Sequence, residues 1–302
     1  MIATPEIAAR RAQLFRETAP ERARRVALGT LRALKPSALP AVPRLVRYWL
    51  ADRMQRNRDL PDALAAPKSI AGFCGIARDL SVPTLLRAYR AGLNPAGHGG
   101  PAKWWSPPEH CILDFPAFHI SRRLRARLRQ GRYRVTFDRD FEGVIKACAE
   151  PRQGHWPITW ITPEIMWAYA ALYDAGYVHS YETWNEEGEL VGGGYGVATG
   201  RVFSIESQFA RETHASKIAF CMLNWHLARW GFAFNSNKAP AQNVLEMGFR
   251  TIPREEYLIR LAAAGREPDR KGRWEVETDL AAIAAWHPGG SAQETKDEAD
   301  AA

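Results

Sequence analysis

Phe203-Ser204-Ile205-Glu206-Ser207-Gln208-Phe209 is the stretch of sequence that decides the fold. Residues 201–209 are predicted to form one β-strand, because apolar and polar side chains alternate along them with few interruptions. Glu206 lies near the middle of this strand and is the first candidate for chemistry, although a glutamate in a strand is more often structural. The elements predicted on either side show what kind of domain contains it.

A hairpin is predicted before this strand, over residues 179–184 and 190–198, and a long helix after it, over residues 215–229. Gly192-Gly193-Gly194 lies inside the hairpin, where glycines usually mark a bulge or the close approach of a backbone or ligand. Further strands are predicted at residues 232–234 and around 257–260. This order is the one expected of a mixed-sheet α/β domain of the GNAT acyltransferase type, although many α/β folds share it.

Helices are also predicted upstream of the hairpin. Residues 82–89 carry an apolar stripe, with Asp79 and Ser81 placed to cap the helix and Gly92 placed to end it. Between Arg122 and Arg134 there are seven arginines and no acidic residue, with Leu124 and Leu128 as an apolar edge, which predicts a cationic helix. A strand at 133–137 and helices at 141–148 and 163–175 complete this part.

The net charge of +8 is concentrated at the N-terminus. Residues 1–60 hold 13 Lys/Arg and 5 Asp/Glu, whereas the remaining 242 residues hold 28 of each sign. We therefore expect a helical basic extension, broken by Pro36, Pro40 and Pro43. It suits an anionic partner such as RNA or a lipid surface, or it is a solvated face. Apolar stripes at 26–34 and 45–50 would pack on the protein's own body, or less often on a partner.

Other features of the sequence exclude several classes of protein. The four cysteines are scattered and lack the spacing of a zinc knuckle or a redox pair, so reduced thiols and no metal are expected. No apolar run is long enough for a membrane span, and no secretory signal is recognisable. The sequence therefore predicts a cytoplasmic protein. We also expect it to be a monomer. His119 and His179 lie in apolar strand-like settings and are expected to be core histidines.

Nine short motifs, in one order and spacing, carry a family resemblance. They are Trp104-Trp105-Ser106-Pro107, Phe118-His119-Ile120-Ser121-Arg122, Tyr133-Arg134-Val135-Thr136, residues 141–152, Thr159-Trp160-Ile161-Thr162, residues 179–184, residues 190–197, Glu206-Ser207-Gln208-Phe209 and Ala215-Ser216-Lys217. Together they resemble the leucyl/phenylalanyl-tRNA–protein transferases over about residues 79–261. Residues 1–70 have no recognised counterpart.

The resemblance implies a fold and an activity. The fold would be a small α/β lobe at 71–130 and a GNAT-like domain at 131–265, between the helical extension at 1–70 and a polar tail at 266–302 whose end is disordered. The activity would be transfer of Leu, Phe or Met from aminoacyl-tRNA to the α-amino group of an acceptor protein or peptide, which marks it for degradation. Neither a metal nor a small-molecule cofactor would be needed.

Site residues follow from this resemblance and from the chemistry of ester aminolysis. Glu206 would hold the acceptor amine or take up its proton. Substrate contacts are expected from Trp105, Trp160, Tyr195 and Gln208. Contacts with acceptor-stem phosphates are expected from Arg122, Arg123, Arg125, Arg127 and Arg129.

One strand departs from the family pattern. Where the family has an Asp-x-Gln pair, the ungapped alignment places Ser236 and Lys238, and a slip of one residue places Asn235 and Asn237. Neither register supplies a carboxylate. Two interpretations stay open: Ser236 and Lys238 replace the pair, with Lys238 as a neutral base, or the protein is an impaired homologue that binds tRNA or protein.

Overall fold

The structure, a computed structural model, describes residues 4–33, 43, 46–47, 50, 54, 59–66, 72–97, 101–151 and 157–289. Its helices are α1 (Pro5–Leu14), α2 (Ala19–Ala33), α3 (Val82–Arg90), α4 (Arg122–Arg129), α5 (Phe141–Ala149), α6 (Pro163–Asp174), α7 (Ala215–Arg229), α8 (Gln242–Leu245), α9 (Arg254–Ala264) and α10 (Leu280–Ala285). Its strands are β1 (Phe73–Ile76), β2 (Asn94–Ala96), β3 (Lys103–Trp105), β4 (Glu109–Leu113), β5 (Arg134–Phe137), β6 (Val178–Trp184), β7 (Leu190–Thr199), β8 (Val202–Ala210), β9 (Phe234–Asn237) and β10 (Arg250–Pro253).

A seven-stranded sheet in the order β10-β4-β9-β8-β7-β6-β5 organises the molecule. Strands β8 and β9 are parallel, and the other neighbours pair antiparallel, so the predicted mixed α/β sheet is confirmed. Helix α7 connects the two parallel strands, as a parallel pair requires. Strands β1, β3 and β2 form a separate small sheet.

Hydrophobic clusters cover both faces of the large sheet. One contains Ile218, Phe220 and Leu223 of α7 together with Phe203 and Ile205 of β8. The other contains side chains of α3, α5 and α6 together with Tyr195 and Phe209. A sheet buried on both faces explains why β7 is buried along almost its whole length.

The glycine run of β7 allows helix α7 to approach the sheet closely. A Cβ on Gly192 would lie 2.6 Å from both Ser216 N and Ala215 Cβ, in the first turn of α7. Gly193 has φ +148°, and its Cβ would lie 2.2 Å from the Tyr181 carbonyl oxygen. The predicted close approach is therefore that of neighbouring backbone, and it fixes the start of α7 against the centre of the sheet.

Two predicted strands are corrected by the structure. The strand expected at 257–260 is wrong: these residues belong to helix α9, where Tyr257, Leu261 and Ala264 recur at helical spacing and are buried. Only the last residue of the strand expected at 232–234 is in β9, which runs from Phe234 to Asn237. In both places the apolar run is too short for its period to separate strand from helix or to fix a boundary.

The two candidate core histidines behave differently. His179 is buried, its Nδ1 lies 2.8 Å from Asp138 Oδ2, and its ring stacks on Trp274 at 3.6 Å. His119 is exposed, so the core prediction is wrong for that residue. Its side chain points outward because the neighbours Phe118 and Ile120 take the buried positions.

The chain ends differ in part from the sequence-based description. Trp274 is 2% exposed and Ile283 is fully buried, so part of the predicted polar tail packs into the core. Residues 290–302 lie outside the described residues, as do Leu45 and Trp49 of the second apolar stripe. Over the described residues, no helix has both the length and the hydropathy to cross a membrane.

Candidate active site

A cleft opens where the parallel strands β8 and β9 separate. They pair from Val202↔Phe234 to Ile205↔Asn237, after which β9 ends and β8 continues to Ala210. The cleft has a volume of about 760 Å³. Its lining includes Trp160, Glu206, Gln208, Ser216 and Asn237.

Glu206 is the extra residue of a β-bulge. The register with β7 passes from Gly196↔Ile205 to Tyr195↔Ser207 and skips Glu206. Ile205 packs in the cluster with α7, whereas Phe209 packs in the cluster with α5 and α6, although regular alternation would put them on one face. Bulges re-aim side chains and occur frequently beside active sites. Here the bulge turns Glu206 into the cleft.

The Glu206 carboxylate is buried, and only one of its two oxygens has hydrogen-bond partners among the described residues. Its side chain is 0% exposed, and its Oε2 accepts hydrogen bonds from the Tyr169 hydroxyl and the Lys238 ammonium. Its Oε1 has no hydrogen-bond partner within the described part of the chain. Leaving a buried polar atom unpaired costs roughly 1–3 kcal/mol, more for a charged group. Oε1 is therefore a buried acceptor to which no described residue donates.

Lys238 contacts two of the predicted site residues at once. Its Nζ forms an ion pair with Glu206 and lies 4.3 Å from the centroid of the Trp160 ring. The structure thus brings Glu206, Lys238 and Trp160 together.

Tyrosines missed by the sequence reasoning support the carboxylate from behind. The Tyr89 hydroxyl of α3 hydrogen-bonds the Tyr169 hydroxyl of α6, which donates to Glu206. Burial, and then the negative charge of Glu206, raise the pKa of both hydroxyls far above the usual value. They are therefore neutral donors at physiological pH. The available signal was that a tyrosine on a buried helix face needs a partner for its hydroxyl.

The remaining predicted site residues take other positions. Ser236 is buried and pairs with Ser204 across β8 and β9, and its hydroxyl is a hydrogen-bond partner of Tyr257 rather than of Glu206. Tyr195 is fully buried behind Tyr169, with ring centroids 5.4 Å apart. Trp105 packs against Phe73 in the small sheet and, unlike Gln208, is not one of the described residues that line the cleft.

The arginines of α4 divide into two kinds. Arg122, Arg123, Arg127 and Arg129 are exposed, while Leu124 and Leu128 are buried as predicted. Arg125 differs, because its guanidinium donates hydrogen bonds to the carbonyl oxygens of Ile120 and Ala284, at 3.1 and 2.7 Å.

Two of the exposed arginines of α4 lie near the start of α7. Burial, and then the positive charges of Arg123, Lys217 and Arg127, lower the pKa of His214. His214 precedes α7, whose first turn contributes Ser216 to the cleft. The described residues contain no group of three or more His, Cys, Asp or Glu side chains that could hold a metal ion.

The fold and the cleft define a mixed α/β protein with a buried carboxylate in its cleft and four exposed arginines on α4. Two family models match in succession: the leucyl/phenylalanyl-tRNA protein transferase N-terminal domain over residues 78–108, and leucyl/phenylalanyl-tRNA protein transferase over residues 112–262. The chain therefore belongs to the leucyl/phenylalanyl-tRNA protein transferase family, whose members are aminoacyltransferases.

Individual relatives agree with this assignment. The leucyl/phenylalanyl-tRNA–protein transferase of Alkalilimnicola ehrlichii is 42% identical over 238 residues, which cover 78% of this chain and 92% of that protein. The one from Pseudomonas syringae pv. syringae is 44% identical over 212 residues, 68% of this chain and 92% of that protein. Among solved structures, L-PGS from Bacillus licheniformis has a TM-score of 0.32 and 14% identity over 59% of this chain and 63% of that chain, too low to support an argument.

Proposed function

We propose that this chain transfers an amino acid from aminoacyl-tRNA to the α-amino group of an acceptor protein or peptide, which tags the acceptor for degradation. The observation that carries the proposal is the unpaired Oε1 of the buried Glu206 carboxylate at the opening between β8 and β9. The catalytic part is a GNAT-like domain over residues 131–265, and the smaller lobe at 71–130 that precedes it contributes β4 to the same sheet. We place the enzyme in the cytoplasm as a monomer.

The reaction needs no activation beyond the ester itself. The acceptor amine, after losing its extra proton to solvent, attacks the carbonyl carbon of the aminoacyl ester. The bond between that carbon and the ribose oxygen of tRNA breaks, and an amide forms. Glu206 Oε1 accepts the proton that leaves the amine and returns it to the ribose oxygen. Tyr169 and Lys238 hold Oε2, so Glu206 is fixed before the substrates arrive.

Lys238 contributes as a cation. Its ammonium lies between the Glu206 carboxylate and the Trp160 ring, where it stabilises negative charge that develops on the ester oxygen. Ser236 is a positioning residue. Its contact with Tyr257 holds β9 in place at the residue that precedes Asn237.

Substrate contacts divide between the cleft and the surface beside it. Trp160 and Gln208 line the part of the cleft that takes the donor amino acid. Tyr195 and Trp105 shape that part through their neighbours. Arg122, Arg123, Arg127 and Arg129 pair with acceptor-stem phosphates, whereas Arg125 positions α4 through its two carbonyl contacts.

An alternative is an impaired homologue that binds tRNA or protein without transfer. The observation in its favour is that β9 carries Asn235, Ser236 and Asn237 and no carboxylate, while Lys238 already pairs with one oxygen of Glu206.

A transfer assay with matched variants tests the proposal. Radiolabelled Leu-, Phe- and Met-tRNA are incubated with the enzyme and with peptides that begin with Lys or Arg. Glu206→Gln should lower the rate by roughly 10²–10⁴-fold, since it removes the proton acceptor and keeps the shape. The control Glu150→Gln changes an exposed glutamate of the same cleft and should stay within a few-fold of wild type.

The outcomes of this assay separate the two functions. Transfer that is lost in Glu206→Gln while tRNA still binds supports the proposed site. Tight tRNA binding by the wild type with no transfer to any peptide would establish the binding module instead. An unaffected rate in Glu206→Gln would exclude Glu206 from the reaction.

A further inference from the structure

The N-terminal helices α1 and α2 precede the residues that the family models match, and yet α1 is fixed to the catalytic body. Arg11 of α1 is 3% exposed and pairs with Glu142 of α5 at 2.8 Å and with Asp174 of α6 at 2.6 Å. Phe15, at the end of α1, is also buried, and its ring meets Trp167 edge-on at 5.4 Å. A surface carried by α1 therefore has a defined place on the catalytic body.

A groove of about 240 Å³ lies between these helices and the body. On the helix side its walls include Arg16 and Arg24, and on the body side they include Lys146, Pro151 and Thr159. Pro151 also lines the catalytic cleft, and Thr159 directly precedes Trp160, which lines that cleft too. The groove and the cleft thus share Pro151, and they meet again at the neighbouring residues Thr159 and Trp160.

The charges in this groove leave two arginines available. Glu17 is taken by Arg25, at 2.7 and 2.9 Å, and Glu21 accepts hydrogen bonds from the backbone and the hydroxyl of Thr18. Arg16 and Arg24 are exposed and form no ion pair with any described residue. Two exposed guanidinium groups that line one groove, and that pair with no described carboxylate, suit the charge of a polyanion better than that of a single small anion.

We infer that α1 and α2 form a second tRNA-binding surface, in which Arg16 and Arg24 pair with backbone phosphates next to the aminoacyl end. The inference rests on the proposed function, because an aminoacyl ester seated at Glu206 brings the neighbouring nucleotides to the rim of the cleft. With the α4 arginines, these contacts give the tRNA two separate points of attachment. Two such points increase the affinity for tRNA without touching the reacting atoms.

A lipid surface is a less suitable occupant. Val26 and Leu31 of α2 are 46% and 57% exposed, as a membrane-surface helix would require. Arg16 and Arg24, however, line a groove between α2 and the body. A strand of nucleotides can enter such a groove, whereas a planar bilayer contacts only its rim.

The test compares two double substitutions that remove the same charge. Arg16→Gln with Arg24→Gln changes the groove, and Arg266→Gln with Arg273→Gln changes two exposed arginines of the C-terminal segment. Binding of fluorescently labelled deacylated tRNA is measured by anisotropy over a series of salt concentrations. Each phosphate contact contributes roughly 0.7–0.9 to the slope of log K against log salt, so the groove variant should lose roughly 1.4–1.8 from that slope and the control nothing.

Transfer assays separate this inference from the proposed function. The groove variant should keep the wild-type rate at saturating aminoacyl-tRNA and show a higher KM for it, since Glu206 is untouched. A salt slope equal to that of the control, with transfer intact, would overturn the inference alone. A selective loss of binding to anionic phospholipid vesicles, with an unchanged slope, would overturn it in favour of a membrane. Absence of transfer by the wild type would defeat the proposed function instead.

Discussion

Lys238 is the residue at which the electrostatics of the site can be changed without altering Glu206. Lys238→Met removes the ammonium but keeps most of the apolar stem against Trp160. The buried carboxylate then has Tyr169 as its remaining partner, so we expect a loss of roughly 1–3 kcal/mol in the free energy of unfolding and a clear fall in transfer rate.

The matched control for Lys238 is Lys217→Met. Lys217 pairs with Glu246 at 3.2 Å on the surface, where an ion pair contributes below about 1 kcal/mol. Urea unfolding measures both variants under the same conditions. Equal losses in the free energy of unfolding for Lys238→Met and Lys217→Met would contradict the view that the buried Lys238–Glu206 pair stabilises the fold more than the surface pair does.

Glu182 predicts a pH dependence of stability. Burial raises its pKa to about 7, although Ser180 and Thr136 donate hydrogen bonds to it. The folded state therefore binds a proton between pH 4.5 and 7 that the unfolded state does not, and stability falls as pH rises through this window. Glu182→Gln should remove that fall, so the variant gains a few kcal/mol over wild type between pH 5 and pH 8.

Urea unfolding at pH 5 and pH 8 checks the Glu182 prediction. The difference in the free energy of unfolding between variant and wild type should change between the two pH values. Taking this difference cancels the contributions of all other titrating groups, because both proteins share them. A difference that does not vary with pH would show that Glu182 is already ionised in the folded protein at pH 5.

At the residue scale the sequence predicted which side chains meet, but not how. Glu206, Trp160 and Lys238 were proposed as one site, and they do lie together. Tyr169 lies in the helix predicted at 163–175, and its bond to Glu206 is not predicted because periodicity identifies a buried helix face but not the partner of a hydroxyl. The bulge that turns Glu206 into the cleft leaves no mark in the sequence, since it depends on how β7 pairs with β8.

Among the elements, the sequence identified the long periodic ones and misjudged the short ones. Helices α3 and α7 and strands β6 to β8 lie where the periodicity and the capping residues placed them. Helix α9 was mistaken for a strand because Tyr257, Leu258 and Ile259 are the residue types that strands prefer. The helix is stabilised by packing of Tyr257 and Leu261 against Phe234. A local sequence pattern gives no information about this contact, because Phe234 is distant in the chain.

Helix α1 provides a prediction about how an element is anchored. Arg11→Met should cost roughly 3–5 kcal/mol, because it leaves Glu142 buried without its charged partner. Arg10→Met removes the neighbouring arginine, which pairs with Asp140 at 2.7 Å but is 48% exposed, and should cost below about 1 kcal/mol. Urea unfolding compares the two, and similar costs would mean that Arg11 does not anchor the helix.

The whole molecule is completed by segments outside the matched family span. Phe15, before that span, belongs to the cluster with α3, α5 and α6, and Trp274 and Ile283, after it, belong to the cluster with α7. Residues 266–289 were expected to be part of a polar tail because charged and small residues dominate their composition. Composition does not show that one tryptophan closes the core, which depends on where Asp138 and His179 lie.

Trp274 gives the prediction at this scale. Its ring stacks on His179, its backbone N–H donates to Asp138 at 2.8 Å, and its side chain fills the cluster that also holds Phe203 and Phe232. Trp274→Ala should therefore cost about 3–5 kcal/mol in the free energy of unfolding. Trp167→Ala, at a position 46% exposed, removes the same side chain and should cost far less. If the two variants unfold at the same urea concentration, the C-terminal segment is an appendage, and the span matched by the family models would be stable without it.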